Sequence, residues 1–303
     1  MDRLDALAIF VAVAELEGFA EAARRLNRSP AAVTRAVAAL EEHLQSRLFN
    51  RTTRSVSLTD VGARYLDSGR RLLAAYDELE AVGAGERSEP RGTVNVTAPT
   101  MFGRLHVLPL LHDFLDRHAQ ADVRLLLLDR VVSLVDEGLD LGIRLGALPD
   151  SSLRAVRVGE VRRLVYASPG YIARFGVPAT PQDLAGHHMI ASTAATAIHD
   201  RWTFLMRGAP VAVAVKPRLV VNTTDAAVDA ALDGFGLASL MSYQADGHVA
   251  AGTLLAVLAE YQPAPVPIHV VHPAGRHLSH KIRLFLDHLV PGLRRKFEAL
   301  PNP

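Results

Sequence analysis

The sequence predicts an α+β protein of more than one domain. A small helical unit with a hairpin comes first, then a long connecting helix, then a larger unit of alternating strands and helices. Three observations carry this. The 303 residues exceed what one core of ordinary size organises. Apolar residues recur at helical spacing through the first 82 positions. Beyond "GAGERSEPRG", residues 83–92 and a linker by composition, the pattern changes to short β-branched runs separated by helices.

In order, Leu4, Leu7, Phe10, Val11 and Ala14 mark a first helix from about 3 to 16, which Gly18 breaks. Phe19, Ala22, Ala23 and Leu26 mark a short second helix. Asn27-Arg28-Ser29 reads as a turn, with Ser29 an N-cap and Pro30 at the first helical position, where its missing N–H costs nothing. The third helix buries Val33, Val37, Leu40 and Leu44 and leaves Ala31, Thr34, Arg35 and Ala38 on its other side. "LFNRTTRSVSLT" alternates and turns like a small hairpin. Thr59 and Asp60 cap a fourth helix reaching Val82. That helix is too long for so small a unit to bury, so its apolar stripe seeks a partner helix, most simply its own copy.

The larger unit begins with the strand "TVNVTAP", a helix from Met101 to His118, "VRLLLLD", a helix around Val131–Glu137, and "LDLGIRLG". This reads as a parallel, doubly wound arrangement. A second such region starts at "VRRLVYASP" and includes "VAVAVKPRLVV", a helix from Thr224 to Leu232, and "GLASL". The strand "VPIHVVHP" and the helix "SHKIRLFLDHLVPGL" close the chain.

Composition is that of an ordinary globular protein, 49% apolar and 21% charged with a net charge of +1. Zero cysteines exclude a disulfide framework, thiolate zinc sites and a cysteine nucleophile. The acidic start "MDRLDALAIF" does not read as a secretory signal, and a cytoplasmic location is expected. The small net charge hides a local excess. Seven arginines (24, 25, 28, 35, 47, 51, 54) face only two acids, Glu41 and Glu42, between residues 24 and 54. A nucleic-acid footprint is a matter of such distribution.

Two short helices joined by a tight turn form a helix-turn-helix, whose second helix offers its first turn to the major groove of double-stranded DNA. There Arg35 can fork onto guanine, Thr34 can bond base or phosphate, and the Ala31 methyl can pack on a thymine methyl. Arg51 and Arg54 flank the hairpin like a wing on phosphate, and Arg28 and Ser29 complete the candidate DNA-binding set. The competing reading is a helical hairpin with a solvated cationic face. Spacing, cap, wing and long following helix together favour DNA.

The stretch "FVAVAELEGFAEAARRLNRSPAAVTRAVAALEEHLQSRLFNRTTRSVSLTDVG" closely resembles the LysR-type transcriptional regulators. The matching positions are Phe19, Ala22-Ala23 with Leu26, Ser29 through Thr34-Arg35, Leu40-Glu41, Leu48-Phe49-Arg51, and Leu58-Thr59 before Gly62. The likeness continues through "RGTVNVTAPTMFGRLHVLPLL", "SLVDEGLDLGIRLG", "ASPGYIARFGVPATPQDLAGH" and "WTF". It implies a winged helix-turn-helix reader at 1–58, a linker and dimerisation helix with hinge at 59–88, and an effector-binding domain at 89–303. That domain is expected to be two-lobed, like periplasmic binding proteins, with lobe I at about 92–161 plus 267–303 and lobe II at about 162–266. A dimer, or a tetramer, is implied, with RNA polymerase as a further partner if the protein activates. Three departures stand out. Gly18 and Ala20 replace the hydroxyl residues usual around Phe19, Pro30-Ala31 replace Gln or Ser, and Met241 stands where proline is common.

Small-molecule sensing is the second expected chemistry. Pro99-Thr100 and Asn222-Thr223-Thr224 each join a strand to a helix, where free N–H groups and a partial positive charge suit a carboxylate. Thr100 and Thr224 are the leading candidates for hydroxyls that meet the effector; alternatively each threonine caps its own helix. Arg144 either pairs a carboxylate or is a solvated charge, and Trp202 is either a ligand platform or core and rim packing. His199, Asp200 and Arg201 border the same region. His187-His188 lack carboxylates at metal-ligand spacing, so no metal is expected. "GFGLAS" follows a helix instead of opening one, which discards it as a dinucleotide fingerprint, and no cofactor is expected. Two other classes remain open: a transport-type solute-binding protein, against which residues 1–58 argue, and an α/β enzyme with an appended DNA-binding domain, for which no nucleophile-base pair is visible.

Overall fold

The structure, a computed structural model, describes residues 2–16, 18–51, 56–84, 89–148, 153–194, 200–274 and 278–297, except for the side chains of 51, 74, 77, 78 and 80–84. It divides into two compact units, Met1–Ser88 with Leu278–His280, and Glu89–His277 with Lys281–Pro303.

The first unit holds α1 (Arg3–Glu15), α2 (Phe19–Arg25), α3 (Pro30–Leu44), the strands β1 (Phe49–Arg51) and β2 (Val56–Leu58), and α4 (Asp60–Ala84). Asp2 caps α1 by accepting from the Leu4 amide, and Ser29 caps α3 by accepting from the Ala32 amide with Pro30 at the first turn. Gly18 leaves α2 without a side-chain cap. Phe10 is wholly buried at the centre, with ring centroids 5.2 Å from Phe49 and 5.4 Å from Tyr65; burying one such ring is worth roughly 1.5–3 kcal/mol. Val33, Ala36, Val37 and Leu40 seat α3 on this core, while Leu44 is half-buried. β1 and β2 pair antiparallel, Phe49 opposite Leu58 and Arg51 opposite Val56. On α4, Leu66 is buried in the core, whereas Leu72, Tyr76 and Leu79 are exposed along a stripe at helical spacing.

In the second unit, β3 (Gly92–Ala98) leads to α5 (Thr100–Phe102), a π turn (Gly103–Val107) and α6 (Leu108–Arg117) in one helical run. Pro109 lies in the first turn of α6 and cannot donate back to Leu105, and the wider register bridges the gap, with the Leu108 amide donating to the Gly103 carbonyl. Then come β4 (Ala121–Leu127), β5 (Leu141–Leu145) and β6 (Leu153–Val161). The chain passes into a second region with β7 (Arg163–Ala167), α7 (Pro169–Phe175), β8 (Met189–Ser192), β9 (Arg201–Met206), β10 (Ala209–Ala214), β11 (Leu219–Val221), α8 (Thr224–Leu232), β12 (Leu237–Met241), α9 (Ser242–Ala250) and β13 (Leu255–Val257). It returns through β14 (Val266–Pro273) and α10 (His280–Phe297).

Two five-stranded sheets result, ordered β4-β3-β5-β14-β6 and β11-β8-β12-β7-β13, with β9 and β10 a separate hairpin. Both sheets are mixed, which corrects the expectation of a parallel, doubly wound unit. β3 runs parallel to β4 and β5, but β14 is antiparallel to β5 and β6, and β12 is antiparallel to β7. A strand that arrives from the far end of the chain can enter either way round, and local pattern does not say which. The helix expected around Val131–Glu137 is one turn only. Val131 and Val132 lie outside it, Leu134 and Leu139 drop into a small core with Val271, and Gly138 at φ 64° ends the turn. "VAVAVKPRLVV" is split between β10 and β11, because Pro217 cannot donate to a ladder.

The two sheets share one core, in which Phe102 meets Tyr243 edge-on at 5.2 Å and stacks on Phe297 at 5.2 Å. At the crossing point the Arg162 amide donates to Ser242 Oγ at 3.3 Å and the Ser242 amide donates to the Arg162 carbonyl at 2.7 Å.

Candidate functional sites

α3 presents Ala31, Thr34, Arg35 and Ala38 on its exposed side, because Val33, Ala36, Val37 and Leu40 take the opposite side into the core. Arg35 has no partner among the described residues, which leaves its five N–H groups available. The Thr34 hydroxyl donates to the Pro30 carbonyl at 2.9 Å, so toward an outside partner it can accept but has no proton to give. Ser29 Oγ accepts from the Ala32 amide in the cap and keeps its O–H proton to donate. Arg28 has a partner that local reading did not show: its guanidinium forks onto Asp5 of α1, at 2.9 and 2.8 Å, and ties the turn to the first helix. The pair is exposed to solvent, so it orders the turn without withdrawing Arg28 from DNA. Arg51 lies on β1, its side chain outside the described residues, as is Arg54 altogether.

The wing is fastened by Glu41, whose role the sequence did not reveal, and by Thr59, which caps α4 as expected and also reaches the turn before the wing. Glu41 Oε1 accepts from the amides of Leu48 (2.8 Å) and Phe49 (3.1 Å), clamping α3 to the start of β1. Thr59 Oγ1 donates to the Arg47 carbonyl at 2.8 Å and accepts from the Gly62 amide at 2.9 Å, and the Thr59 amide donates to the Leu48 carbonyl at 2.9 Å. The start of α4 is therefore pinned to the turn before the wing. Gly62 is required there, since a Cβ on it would lie 2.1 Å from the Leu48 carbonyl oxygen.

In the second unit the strand–helix loops gather at the carboxyl ends of β3 and β11. α5 has no side-chain cap; the Thr100 amide instead donates to Asp129 Oδ1 at 3.0 Å. α8 is capped by Thr223, whose Oγ1 accepts from the Ala226 amide at 3.4 Å. The hydroxyls of Thr100 and Thr224 thus cap neither helix, and neither makes a hydrogen bond among the described residues. Asn222 is exposed beside them. Arg104, in the π turn, joins Asp225, in the first turn of α8, at 2.6 Å. Burial pushes the Tyr243 hydroxyl up to about 12, with Asp129 and Asp225 adding to the rise and the Gln244 hydrogen bond and Arg163 opposing it. The loops that follow strands of the two sheets converge near this phenol, Asp129 coming after β4 and Asp225 after β11. Behind it, burial and Lys296 lower His106 to about 4, and its buried Nε2 has no hydrogen-bond partner among the described residues.

Two expected cleft residues have other duties. Arg144 donates to the Val132 carbonyl at 2.7 Å and is half-buried on β5. Trp202 is buried between β9 and the second sheet beside a cavity of about 10 Å³, room for one water and not for a ligand ring. Asp200 and Arg201 are exposed at the start of the same hairpin, and His199 lies outside the described residues. An open groove of about 420 Å³ lies at the other end of α8, lined by Arg174, Asp233 and Thr253 among others, away from Thr224. His187 contacts the Tyr171 hydroxyl and His188 contacts Arg218; among the described residues no group of His, Cys, Asp or Glu could hold a metal ion.

Residues 4–63 match the family model described as a bacterial regulatory helix-turn-helix protein of the lysR family, and residues 87–294 match the LysR substrate binding domain. An HTH-type transcriptional repressor of Pseudomonas aeruginosa (strain UCBPP-PA14) is 35% identical over 291 residues, covering 95% of this chain and 91% of that protein. The HTH-type transcriptional regulator PgrR of Escherichia coli (strain K12) is 33% identical over 287 residues, covering 93% and 95%. Among solved structures, CrgA, a LysR-type transcriptional regulator from Neisseria meningitidis, superposes with a TM-score of 0.62 at 29% identity, over 95% of this chain and 98% of that one. A helix-turn-helix with a free arginine on its outer face, a two-sheet domain, and family matches to both together show that this chain belongs to the LysR family of DNA-binding transcriptional regulators, each with a substrate-binding domain, and not to a family of enzymes.

Proposed function

We propose that two copies of this chain, joined through the exposed stripe of α4, present their α3 helices to an interrupted inverted repeat in promoter DNA, in the cytoplasm. Leu72, Tyr76 and Leu79 supply the apolar face that a second α4 would cover. The observation that carries the DNA reading is the outer face of α3, with Ala31, Thr34 and Arg35 exposed and Arg35 uncommitted. Arg35 reads guanine, Thr34 accepts from a base amino group, and Ala31 packs on a methyl group. Ser29 sets the angle of entry, and Arg51 and Arg54 on the wing grip phosphate. Two such dimers can pair into a tetramer, and RNA polymerase is the further partner if the protein activates.

A small effector, carrying a carboxylate, binds in the cleft among Thr100, Asn222, Thr223 and Thr224. It acts by favouring one arrangement of the two sheets over another, which requires a difference in its affinity for the two. The test is promoter binding by the purified protein at moderate salt, against random duplex of equal length and with and without a metabolite extract. Equal affinity for all duplexes under every condition would remove the proposal.

A further inference from the structure

We propose that Arg104 is the group that receives the anionic end of the effector, and that it does so by exchanging its present partner, Asp225. This rests on the reading of the cleft as the effector site.

One amide at the start of each helix is already in use: Thr100 N–H is held by the carboxylate of Asp129, and Ala226 N–H by the hydroxyl of Thr223. An incoming carboxylate or phosphate gains most from a charged donor beside the amides that remain. Arg104 is the guanidinium placed for it. It stands in the π turn next to Thr100, and 53% of its side chain is open to solvent. Its planar fork fits two oxygens of one anion. Arg163, the other guanidinium near Tyr243, borders the cavity of about 10 Å³, too small for a carboxylate.

The exchange is energetically cheap. The Arg104–Asp225 pair is half exposed on both sides, and exposed pairs contribute little to stability. Once released, Asp225 remains in the first turn of the nine-residue α8, where the helix dipole favours a negative charge. Asp129 keeps its bond to the Thr100 amide. Both acids thus stay compensated when Arg104 turns to a ligand, whereas a cationic ligand would have to displace Arg104 to reach Asp225. The exchange also couples binding to shape. Arg104 follows β3 of one sheet and Asp225 follows β11 of the other, so a ligand that takes Arg104 removes an ion pair joining the two regions.

The experiment measures binding of acetate, benzoate, succinate and inorganic phosphate to the full-length protein by calorimetry. The proteins are wild type, Arg104→Gln, Arg104→Lys, Asp225→Asn, and the remote control Arg117→Gln, whose exposed pair with Asp113 at 2.8 Å lies at the far end of α6. Melting curves and promoter binding show that each variant folds. At least one anion is expected to bind wild type and to bind Asp225→Asn roughly two- to fivefold more tightly, the competitor having gone. Arg104→Gln should lose roughly tenfold or more, Arg104→Lys less, and Arg117→Gln nothing. Unchanged affinity in Arg104→Gln, weaker binding in Asp225→Asn, or no binding of any of these anions to either wild type or Asp225→Asn overturns the assignment. A metabolite extract separates the two levels. If wild-type promoter occupancy ignores it, the effector reading falls and this assignment with it. If wild type and Arg104→Gln respond alike, the Arg104 assignment alone falls.

Discussion

Replacing Glu41 by alanine removes the acceptor that holds the wing to α3. Two amide donors lose their partner at once, those of Leu48 and Phe49, whose side chains are 0% and 2% exposed. A buried donor left unsatisfied costs about 1–3 kcal/mol, which for two gives about 2–6 kcal/mol. Glu41 itself is half-exposed, so water can reach one of the two amides, and the lower part of the range, about 2–3 kcal/mol, is expected. The better helix propensity of alanine returns only a few tenths. For a unit of this size the loss corresponds to roughly 10–20 °C in melting temperature. Urea unfolding followed by circular dichroism reads the stability, and hydrogen exchange at Leu48 and Phe49 reports the two amides directly. Glu41→Gln keeps one carbonyl acceptor and should recover half of the loss or more. Promoter affinity should fall by a similar factor on all sequences, since a loosened wing affects phosphate contacts. A Glu41→Ala protein within about 0.5 kcal/mol of wild type, or a glutamine variant as damaged as the alanine one, would refute the clamp.

Arg35→Ala should weaken cognate binding by about 1–3 kcal/mol and relax specificity at one base pair, whereas Arg51→Ala and Arg54→Ala should weaken all sequences alike with a shallower salt slope; competition titrations at several salt concentrations distinguish the two. Gly62→Ala, with its Cβ 2.1 Å from a backbone oxygen, should cost about 2–4 kcal/mol in denaturant melts, and a neutral result would mean that α4 can shift freely there. Thr100→Val removes a hydroxyl that caps nothing, so effector response should fall while promoter affinity and melting temperature hold; an unaltered dose-response excludes the hydroxyl. His106 supplies a pH test. Its folded value of about 4 lies below the ordinary 6.5, so between those values the unfolded chain takes up a proton that the folded chain refuses. Stability from this group is complete above pH 6.5 and falls as pH drops toward 4, by about 1–2 kcal/mol once the partial exposure of the ring is discounted. Urea melts at pH 7 and 4.5 should show a smaller difference for His106→Leu than for wild type, and equal differences would exclude it.

What the sequence by itself determined is the short-range part. The helical spacing of Leu7, Phe10 and Val11, the Ser29-Pro30 start of α3, the alternation on either side of the wing and the outward face of Thr34 and Arg35 all follow from interactions within a turn or two of chain. The strand–helix loops at Thr100 and Thr224 were equally legible, being changes of local period. Tertiary structure alone decided the partners. Arg28 meets Asp5 across 23 positions and Arg104 meets Asp225 across 121, while Asp129 occupies an amide that local reading left free. It also decided the direction of β14, the burial of Trp202 and the collapse of the 131–137 segment to one turn around Leu134. A side chain's period and cap are set by its own backbone, but which charge or carbonyl it meets depends on segments brought close only after the core has packed, and several partners of the same chemistry compete until then.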